Sequence, residues 1–524
     1  MGILDGLADD ITAGLDRSLR LRPPDLRAEQ VATVTRVGAG VAEVAGFAEL
    51  SADELVAFPG GLMGAATDIR TDRAGVILFG ASEGLSVGAE ARRTGRVIDV
   101  PVGSALLGRV VDALGRPLDG FGAIREAERY PVERPAPAIL DRAPVDRPLH
   151  TGIKAVDAAI PIGRGQRELI IGDRQTGKTA IALSAILNHH GSASGSGPGG
   201  AAQRPGICIY CAIGQRAAAV ARVIETMRRD GALARSIVLV AGSDAAPGLQ
   251  FIAPYAATSM AEWFMARGED VLIVYDDLTR HARAYRELSL LLRRPPGREA
   301  YPGDIFYIHS RLLERATHLR EDLGGGSLTA LPVIETQAQN ISAYIPTNLI
   351  SITDGQLYLS PEMFEKGQLP AIDIGKSVSR VGAKAQLPAF RAVAGDLRLS
   401  FAQFEELEVF SRFGTRLDED TRQKLTRGRR VREALKQREN ERPAPSGQIA
   451  VLLAASRGLL DALPLDRIRE AETAILRALH YHASETCARI ETGSAFDQAD
   501  LDTLLGVASQ AIASLPEGRS DGNA

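Results

Sequence analysis

The segment Gly-Asp-Arg-Gln-Thr-Gly-Lys-Thr at residues 172–179 matches the complete P-loop pattern G-x-x-x-x-G-K-[ST]. An apolar run (168–171) leads into it and an alanine-rich run (180–187) follows, which is the strand–loop–helix context that the motif requires. In that context Lys178 is expected to reach the β- and γ-phosphates, and the Thr179 hydroxyl to bind Mg²⁺. The predicted site for a nucleoside triphosphate comprises Gly172, Asp173, Arg174, Gln175, Thr176, Gly177, Lys178 and Thr179.

Composition limits the class of protein. The 524 residues exceed what one hydrophobic core holds, so several domains are expected. The net charge is -4, whereas proteins that bind nucleic acids or membrane surfaces typically carry an excess of positive charge, so no nucleic-acid partner is expected. No stretch approaches the roughly 20 apolar residues of a membrane-spanning helix, so membrane association is expected only through partners. Cys208 and Cys211 would lie on opposite faces of a strand, which favours packing over metal binding.

The local pattern changes several times along the chain. Leu4, Leu7, Ile11 and Leu15 recur at helical spacing, and short β-prone runs separated by glycines follow. Apolar strands then alternate with helical stretches, before helical periodicity takes over. We therefore predict a multidomain chain with an N-terminal small β-barrel, a central α/β P-loop NTPase (RecA-like) domain and a C-terminal α-helical bundle. The predicted parts are an amphipathic helix and linker (1–26), the β-barrel (27–97), the P-loop domain (98–386), the helical domain (387–515) and a polar tail (516–524).

Individual elements can be placed inside these parts. The β-barrel is predicted to contain strands at 31–37, 41–44, 55–58, 74–79 and 95–100. A mostly parallel sheet is predicted from strands at 169–171, 207–213, 237–241, 271–275 and 331–335, with the P-loop at the carboxyl end of the first. The Gly/Ser run 191–200 is predicted to be a surface loop without chemistry, and residues 465–490 and 499–515 to be helical.

The apolar run 271–275 ends in two carboxylates, as the second element of a P-loop site does. Asp276 is expected to orient the water shell of Mg²⁺ beside Thr179. A helix-capping role is the alternative for such a residue, and it suits Asp277, which directly precedes a helical stretch.

Longer segments at 161–180, 290–304, 342–348, 352–356 and 377–382 resemble the alpha subunits of F-type rotary ATP synthases. The resemblance implies a ring of three alpha and three beta subunits around a gamma shaft, with a peripheral-stalk or delta subunit reached through the N-terminus. It also implies ATP or ADP with Mg²⁺ as cofactors, and coupling to H⁺ or Na⁺ transport. The complex would lie at the cytoplasmic face of a bacterial inner membrane, touched by this chain only indirectly.

One residue indicates that the chain resembles an alpha subunit and not a catalytic beta subunit. Hydrolysis needs a carboxylate that polarises the attacking water, and the beta subunits carry a Glu in a Gly-Glu-Arg context. Here Gln215 stands at the matching position, in Ile-Gly-Gln-Arg. An amide cannot act as that base, so this P-loop is expected to bind MgATP without turning it over.

The resemblance assigns further site residues. Arg380 matches the arginine finger that reaches the neighbouring beta site, Ser377 helps to position it, and Ser351 lines the same interface. The adenine pocket is implied to involve Phe364, Pro370 and Gln437. Two positions depart from the family pattern: Leu369 replaces an Arg and Glu439 replaces a Gln.

Two other classes of protein share parts of this pattern. A homohexameric ATPase of the protein-export or flagellar type is suggested by residues 276–280, but it would need its own Glu where Gln215 lies. An RNA translocase resembling the terminator Rho also combines a barrel with a P-loop core. The absence of a basic, aromatic-rich N-terminal face counts against that class.

Overall fold

The computed structural model describes residues 30–125, 128–191, 206–411, 418–439 and 441–516. The predicted N-terminal helix, nearly all of the Gly/Ser run and most of the polar tail lie outside these residues. The chain divides into two units, Met1–Val97 and Ile98–Ala524, which are described in turn.

The first unit is a closed antiparallel barrel with the strand order β1-β2-β5-β4-β3-β6. Its strands are β1 (Val31–Gly38), β2 (Val41–Ala45), β3 (Glu54–Ala57), β4 (Met63–Ile69), β5 (Ala74–Leu78) and β6 (Glu90–Val97). Antiparallel pairing of β1 with β6 closes the barrel. Alternation along β1 turns Ala32 and Val34 into the core, as period-two patterning requires. The predicted barrel is confirmed.

Two details of the barrel differ from the prediction. Strand β4 was missed because its sequence, Met-Gly-Ala-Ala-Thr-Asp-Ile, is poor in the β-branched residues that signal a strand. The single predicted strand at 95–100 was wrong, because β6 ends at Val97 and a separate strand begins at Asp99. That new strand pairs with Glu128–Pro131 and belongs to the second unit.

The second unit is built on a mostly parallel eight-stranded sheet with the order β18-β17-β12-β16-β15-β13-β14-β8. The strands of this unit are β7 (Asp99–Val102), β8 (Val110–Val111), β9 (Glu128–Pro131), β10 (Pro148–Leu149), β11 (Ile162–Gly163), β12 (Glu168–Gly172), β13 (Ile207–Ile213), β14 (Ser236–Ala241), β15 (Asp270–Asp276), β16 (Ser327–Glu335), β17 (Gly355–Leu359) and β18 (Val378–Ser379). All five predicted strands are present. The edge strand β18 is antiparallel to β17.

Helices cover the sheet and continue to the end of the described chain. They are α1 (Lys154–Ala159), α2 (Lys178–Gly191), α3 (Ala217–Arg229), α4 (Pro247–Met265), α5 (Leu278–Leu291), α6 (Ile305–Leu313), α7 (Tyr344–Ile352), α8 (Pro361–Glu365), α9 (Pro388–Ser411), α10 (Glu419–Ala434), α11 (Pro445–Ser456), α12 (Ile468–His482), α13 (Ser484–Glu491) and α14 (Gln498–Ala513). The long helix predicted at 465–490 is interrupted between α12 and α13, at Ala483.

One hydrophobic core joins the sheet to the C-terminal helices. Every residue of β12 and β13 is buried, as expected for parallel strands covered on both faces. Phe390 and Val393 of α9 and Ile449 of α11 belong to the same core as these strands. The fold class is confirmed, whereas the predicted limits of the domains remain predictions.

Candidate nucleotide-binding site

The P-loop connects the end of β12 to the start of α2, as predicted. Gln175 and Gly177 adopt left-handed φ values of 63° and 93°, which curl the backbone before the helix begins at Lys178. The Lys178 ammonium donates to the carbonyl oxygens of Gly172 and Asp173, at 2.9 and 2.5 Å. Burial lowers the pKa of Lys178. The two hydrogen bonds hold the Lys178 ammonium within the loop that is predicted to bind phosphates.

The side chains of the loop tie it to the neighbouring strand. Asp173 accepts hydrogen bonds from the Thr336 hydroxyl (2.5 Å) and from the Gln339 N–H (3.1 Å). Arg174 is exposed and donates to Glu335 Oε2 at 3.1 Å. The Thr176 hydroxyl donates to the carbonyl oxygen of Asp173. Both Thr336 and Gln339 lie just after β16, which pairs with β12.

Asp276 is the centre of the predicted magnesium side of the site. Its carboxylate accepts hydrogen bonds from Thr179 Oγ1 (2.8 Å), Tyr210 OH (2.7 Å) and Gln215 Nε2 (2.8 Å). Burial raises the pKa of Asp276. A buried carboxylate beside a hydroxyl offers the hard oxygen ligands and outer-sphere contacts that Mg²⁺ takes at P-loops, so these residues fit the ion.

Tyr210 was missed by sequence reasoning. It lies on β13, next to β15 in the sheet. Its Cα pairs with that of Val274, two residues before Asp276, and its hydroxyl reaches the Asp276 carboxylate. Nothing in the linear pattern distinguishes this residue from the other apolar residues of the strand.

Asp277, in contrast, caps α5 as predicted, accepting from the Arg280 N–H at 2.8 Å. Burial and the adjacent Asp276 raise the pKa of Asp277 to about 7.

A cavity of about 540 Å³ adjoins the P-loop. The volume falls in the range of small-ligand sites, and is large enough for a nucleoside. The predicted residues Thr176, Gly177, Phe364, Pro370 and Gln437 all line it, together with the two departures, Leu369 and Glu439. Its other lining residues, which the sequence did not indicate, are Ile153, Ala180, Ile181, Ser184, Gly367, Ala371, Lys436, Arg438 and Arg469.

The side-chain amide of Gln437 already has backbone partners. Its Nε2 donates to the carbonyl oxygen of Gly152 at 2.5 Å, and its Oε1 accepts from the Lys154 N–H at 3.0 Å. Gln437 therefore holds the wall of the cavity against α1, in addition to lining it.

Arg380 lies directly after β18, on the exposed surface. Its guanidinium donates to the carbonyl oxygens of Ile350 (3.4 Å), in the last turn of α7, and Thr353 (3.2 Å), directly after that helix. Ser377 is buried; its hydroxyl donates to the Asp373 carbonyl (2.6 Å) and accepts from the Tyr358 N–H (2.9 Å). Ser377 thus fastens the segment before Arg380 to β17. The exposed Ser351 hydroxyl donates to the Thr347 carbonyl oxygen within α7.

The register of β17 separates Arg380 from the P-loop of the same chain. Gly172 pairs with Leu359 at one end of β17, and Ser379 pairs with Gly355 at the other end. Four residues of strand correspond to about 13 Å, at roughly 3.3 Å for each residue. Arg380 therefore starts from the opposite end of the sheet and does not belong to its own P-loop site.

Comparison with known proteins identifies the family. Residues 152–379 match the nucleotide-binding domain of the ATP synthase alpha/beta family, residues 386–511 its C-terminal domain, and residues 29–95 its beta-barrel domain. "ATP synthase subunit alpha 2" of Syntrophus aciditrophicus (strain SB) is 59% identical over 503 residues, covering 96% of this chain and 95% of that protein. The chain belongs to the alpha subunits of F-type ATP synthases.

Further relatives agree with this assignment. "ATP synthase subunit alpha 2" of Syntrophotalea carbinolica is 60% identical over 494 residues, covering 94% of this chain and 92% of that protein. "ATP synthase subunit alpha 1" of Rhodopirellula baltica is 55% identical over 497 residues, with 95% and 96% covered. Membership of this family decides against the homohexameric export-type alternative. Among the described residues, no helix is long and apolar enough to cross a membrane.

Proposed function

We propose that the chain binds MgATP or MgADP in its own P-loop without hydrolysing it, and supplies Arg380 to the catalytic site of a neighbouring beta subunit. The assembly would be an F-type ATP synthase that couples ATP synthesis or hydrolysis to the transport of H⁺ or Na⁺. ATP or ADP would occupy the cavity beside Phe364 and Pro370. Mg²⁺ would sit between Thr179, Asp276 and the phosphates, where it would neutralise phosphate charge.

The hydrogen bond from Gln215 to Asp276 carries the proposal that this site is noncatalytic. Gln215, which matches the general-base position of the beta subunits by resemblance, presents an amide that donates to a carboxylate at 2.8 Å. An amide in this state cannot accept a proton from an attacking water. The P-loop, Thr179 and Asp276 can still hold a magnesium nucleotide, so binding and turnover are separated.

The placement of Arg380 supports the second half of the proposal. Arg380 is exposed, and it follows a strand residue that pairs about 13 Å along β17 from the residue beside the P-loop, so its guanidinium is available to another subunit. Its present contacts are two backbone carbonyl oxygens at 3.2 and 3.4 Å, which a stronger anionic partner can replace. Charge of this kind stabilises the transition state of phosphoryl transfer.

The partners that we propose follow from the family. Three copies would alternate with three beta subunits around a gamma shaft, and a peripheral-stalk or delta subunit would bind at the N-terminus. The complex would be attached to the cytoplasmic face of a bacterial inner membrane, with no nucleic acid involved.

Reconstitution with beta and gamma subunits tests the proposed function. The isolated chain should bind MgATP and hydrolyse almost none, and Lys178→Ala should remove that binding. In the complex, Arg380→Ala should lower turnover by roughly 10³-fold or more, the usual worth of an arginine finger. The exposed Arg222→Ala serves as the control for loss of a surface guanidinium. Robust turnover by the isolated chain, or full turnover by the Arg380→Ala complex, contradicts the proposal.

A further inference from the structure

Asp173 connects the P-loop to the segment that follows β16. We call residues 336–343 the connecting segment, since they run from β16 to the start of α7. Both carboxylate oxygens of Asp173 face it: Oδ1 accepts from the Thr336 hydroxyl at 2.5 Å, and the Gln339 N–H lies 3.1 and 3.2 Å from the two oxygens. A second link joins the Thr336 N–H to the carbonyl oxygen of Gly172, at 3.1 Å. The P-loop and the connecting segment are therefore held together at three points.

The connecting segment is strained where Asp173 holds it. Ala338 and Gln339 have φ values of 50° and 59°, a left-handed conformation that residues with a Cβ rarely adopt. Two such residues in succession persist only when the surrounding contacts impose them. The hydrogen bond from the Gln339 N–H to Asp173 is one of those contacts. Strain of this kind clusters at active sites, ligand clamps and switch segments.

Two routes lead from the connecting segment to Arg380. In the first, Gln339 Oε1 accepts from the Tyr358 hydroxyl at 3.2 Å, and the Tyr358 N–H donates to Ser377 three residues before Arg380. In the second, the connecting segment continues into α7. The carbonyl oxygens of Ile350 and Thr353, at the end of that helix, hold the Arg380 guanidinium. A shift of the connecting segment therefore reaches both the backbone before Arg380 and the acceptors of its side chain.

A bound triphosphate has a direct way to shift the connecting segment. Lys178 donates to the carbonyl oxygens of Gly172 and Asp173, and the first of these also accepts from the Thr336 N–H. Phosphates compete for the Lys178 ammonium because an anionic acceptor is stronger than a carbonyl oxygen. When Lys178 turns to phosphate, the two carbonyls lose a cation, and the hydrogen bonds of Thr336 and Asp173 readjust. A nucleotide that changes these bonds would favour one arrangement of the segment over another, which is the differential interaction that coupling requires.

We propose that Asp173, Thr336 and Gln339 form a relay through which a nucleotide in this chain's P-loop sets the position of Arg380. The inference rests on the proposed function, because it presupposes nucleotide binding here and the action of Arg380 on a neighbour. The three residues are positioning residues for a reaction that takes place in another subunit. The relay gives a noncatalytic nucleotide a physical route to the rate of the adjacent catalytic site.

Amide hydrogen exchange on the full-length chain, with and without MgATP, tests the relay. Thr336→Val removes only the hydroxyl that donates to Asp173, and Thr336→Ser keeps it. Thr329→Val is a matched control on β16, the strand that precedes Thr336: its hydroxyl is also buried but accepts from the Gly165 N–H, away from the relay. Tyr358→Phe removes the hydroxyl that donates to Gln339, and it provides a second variant should Thr336→Val fold poorly.

In the wild type, Thr336→Ser and Thr329→Val, MgATP should slow exchange both at the P-loop and across 344–354. The slowing should reach roughly tenfold, the worth of one hydrogen bond to a charged group. In Thr336→Val, the P-loop should still be protected while the effect across 344–354 is lost. In Tyr358→Phe, which breaks only the first route, the effect across 344–354 should persist, whereas the slowing that the wild type shows at 377–380 should be lost. P-loop protection in the wild type without any change across 344–354 overturns the relay alone. No protection anywhere overturns the proposed function, and the relay with it.

Turnover of the reconstituted complex gives an independent measure. Thr336→Val in this chain should lower kcat by about tenfold with KM little changed, because a displaced arginine weakens transition-state contacts in the partner's site. Thr336→Ser and Thr329→Val should keep the wild-type kcat. Equal kcat for Thr336→Val and the wild type, with nucleotide bound to this chain in both, contradicts the relay.

Discussion

Placing a carboxylate at position 215 should destabilise the fold around this chain's P-loop and should not make the site catalytic. The Gln215 amide donates to Asp276 at 2.8 Å, and a hydrogen bond to a charged group contributes about 1.5–3 kcal/mol. Gln215→Glu loses that bond and brings a second negative charge close to a buried carboxylate. At about 4 Å, repulsion between two unit charges reaches roughly 4 kcal/mol at an effective dielectric constant of 20. Gln215 is half-buried, so the new side chain can turn partly toward water. We expect the free energy of unfolding to fall by about 2–4 kcal/mol at about pH 8.

The pH dependence separates charge repulsion from loss of the hydrogen bond. Two facing carboxylates raise each other's pKa, adding to the burial that already raises the pKa of Asp276. A carboxyl group whose folded pKa exceeds its unfolded value destabilises the fold progressively as the pH rises above the unfolded value. The loss in Gln215→Glu should therefore be smaller at about pH 5 than at about pH 8.

Urea unfolding followed by fluorescence of Trp263, the only tryptophan, provides the assay. Gln215→Met is the control, because it removes the hydrogen bond without adding charge at nearly the same volume. If the two variants have equal free energies of unfolding at both pH values, the side chain at position 215 does not face Asp276, and the reasoning fails. Nucleotide hydrolysis by the isolated Gln215→Glu chain would contradict it from the other direction.

Three further predictions concern other parts of the second unit. Glu168 is fully buried, its Oε1 has no hydrogen-bond partner, and burial raises its pKa well above the ordinary value. Ionisation then costs stability as the pH rises above the unfolded value, so Glu168→Gln should raise the midpoint of thermal unfolding more at about pH 8 than at about pH 5. Glu439→Gln removes a negative charge from the cavity that is proposed to hold ATP, and calorimetric titration should show roughly two- to threefold tighter binding. Ala338→Gly relieves a left-handed φ of 50° and should add about 1 kcal/mol to the free energy of unfolding in urea, whereas a decrease would show that the conformation is not strained.

The parts of the fold that were predicted correctly carry strong local signals. Apolar runs bounded by polar residues located β12 to β16, and the P-loop pattern located the turn between β12 and α2. The strands that were missed carry weak local sequence signals. Strand β17 begins with Gly-Gln, β18 has two residues, and β4 is mostly small side chains. Such strands form because neighbouring strands offer a free edge, which no local pattern records.

The site divides in the same way. Lys178, Thr179 and Asp276 could be predicted from the sequence as site residues, because binding of phosphate and Mg²⁺ requires these residue types at these positions after a strand. Tyr210, which donates to Asp276, and Arg469, which lines the cavity, lie far from these motifs along the chain. Both reach the site only after the sheet and the C-terminal helices have packed together. Their roles depend on register and packing, which act between segments and not within them.

By itself, the sequence determined the P-loop pattern and the amide at position 215, and from these residue identities it predicted a nucleotide site without a carboxylate base. Only the tertiary structure decided where the parts of that site act. The pairing of β12, β17 and β18 places Arg380 at the opposite end of the sheet from its own P-loop. The same packing brings Asp173 against Thr336 and Gln339. The physical reason is that a strand's direction and register follow from hydrogen bonds and burial shared with its neighbours, so the distance between two motifs is a property of the whole sheet.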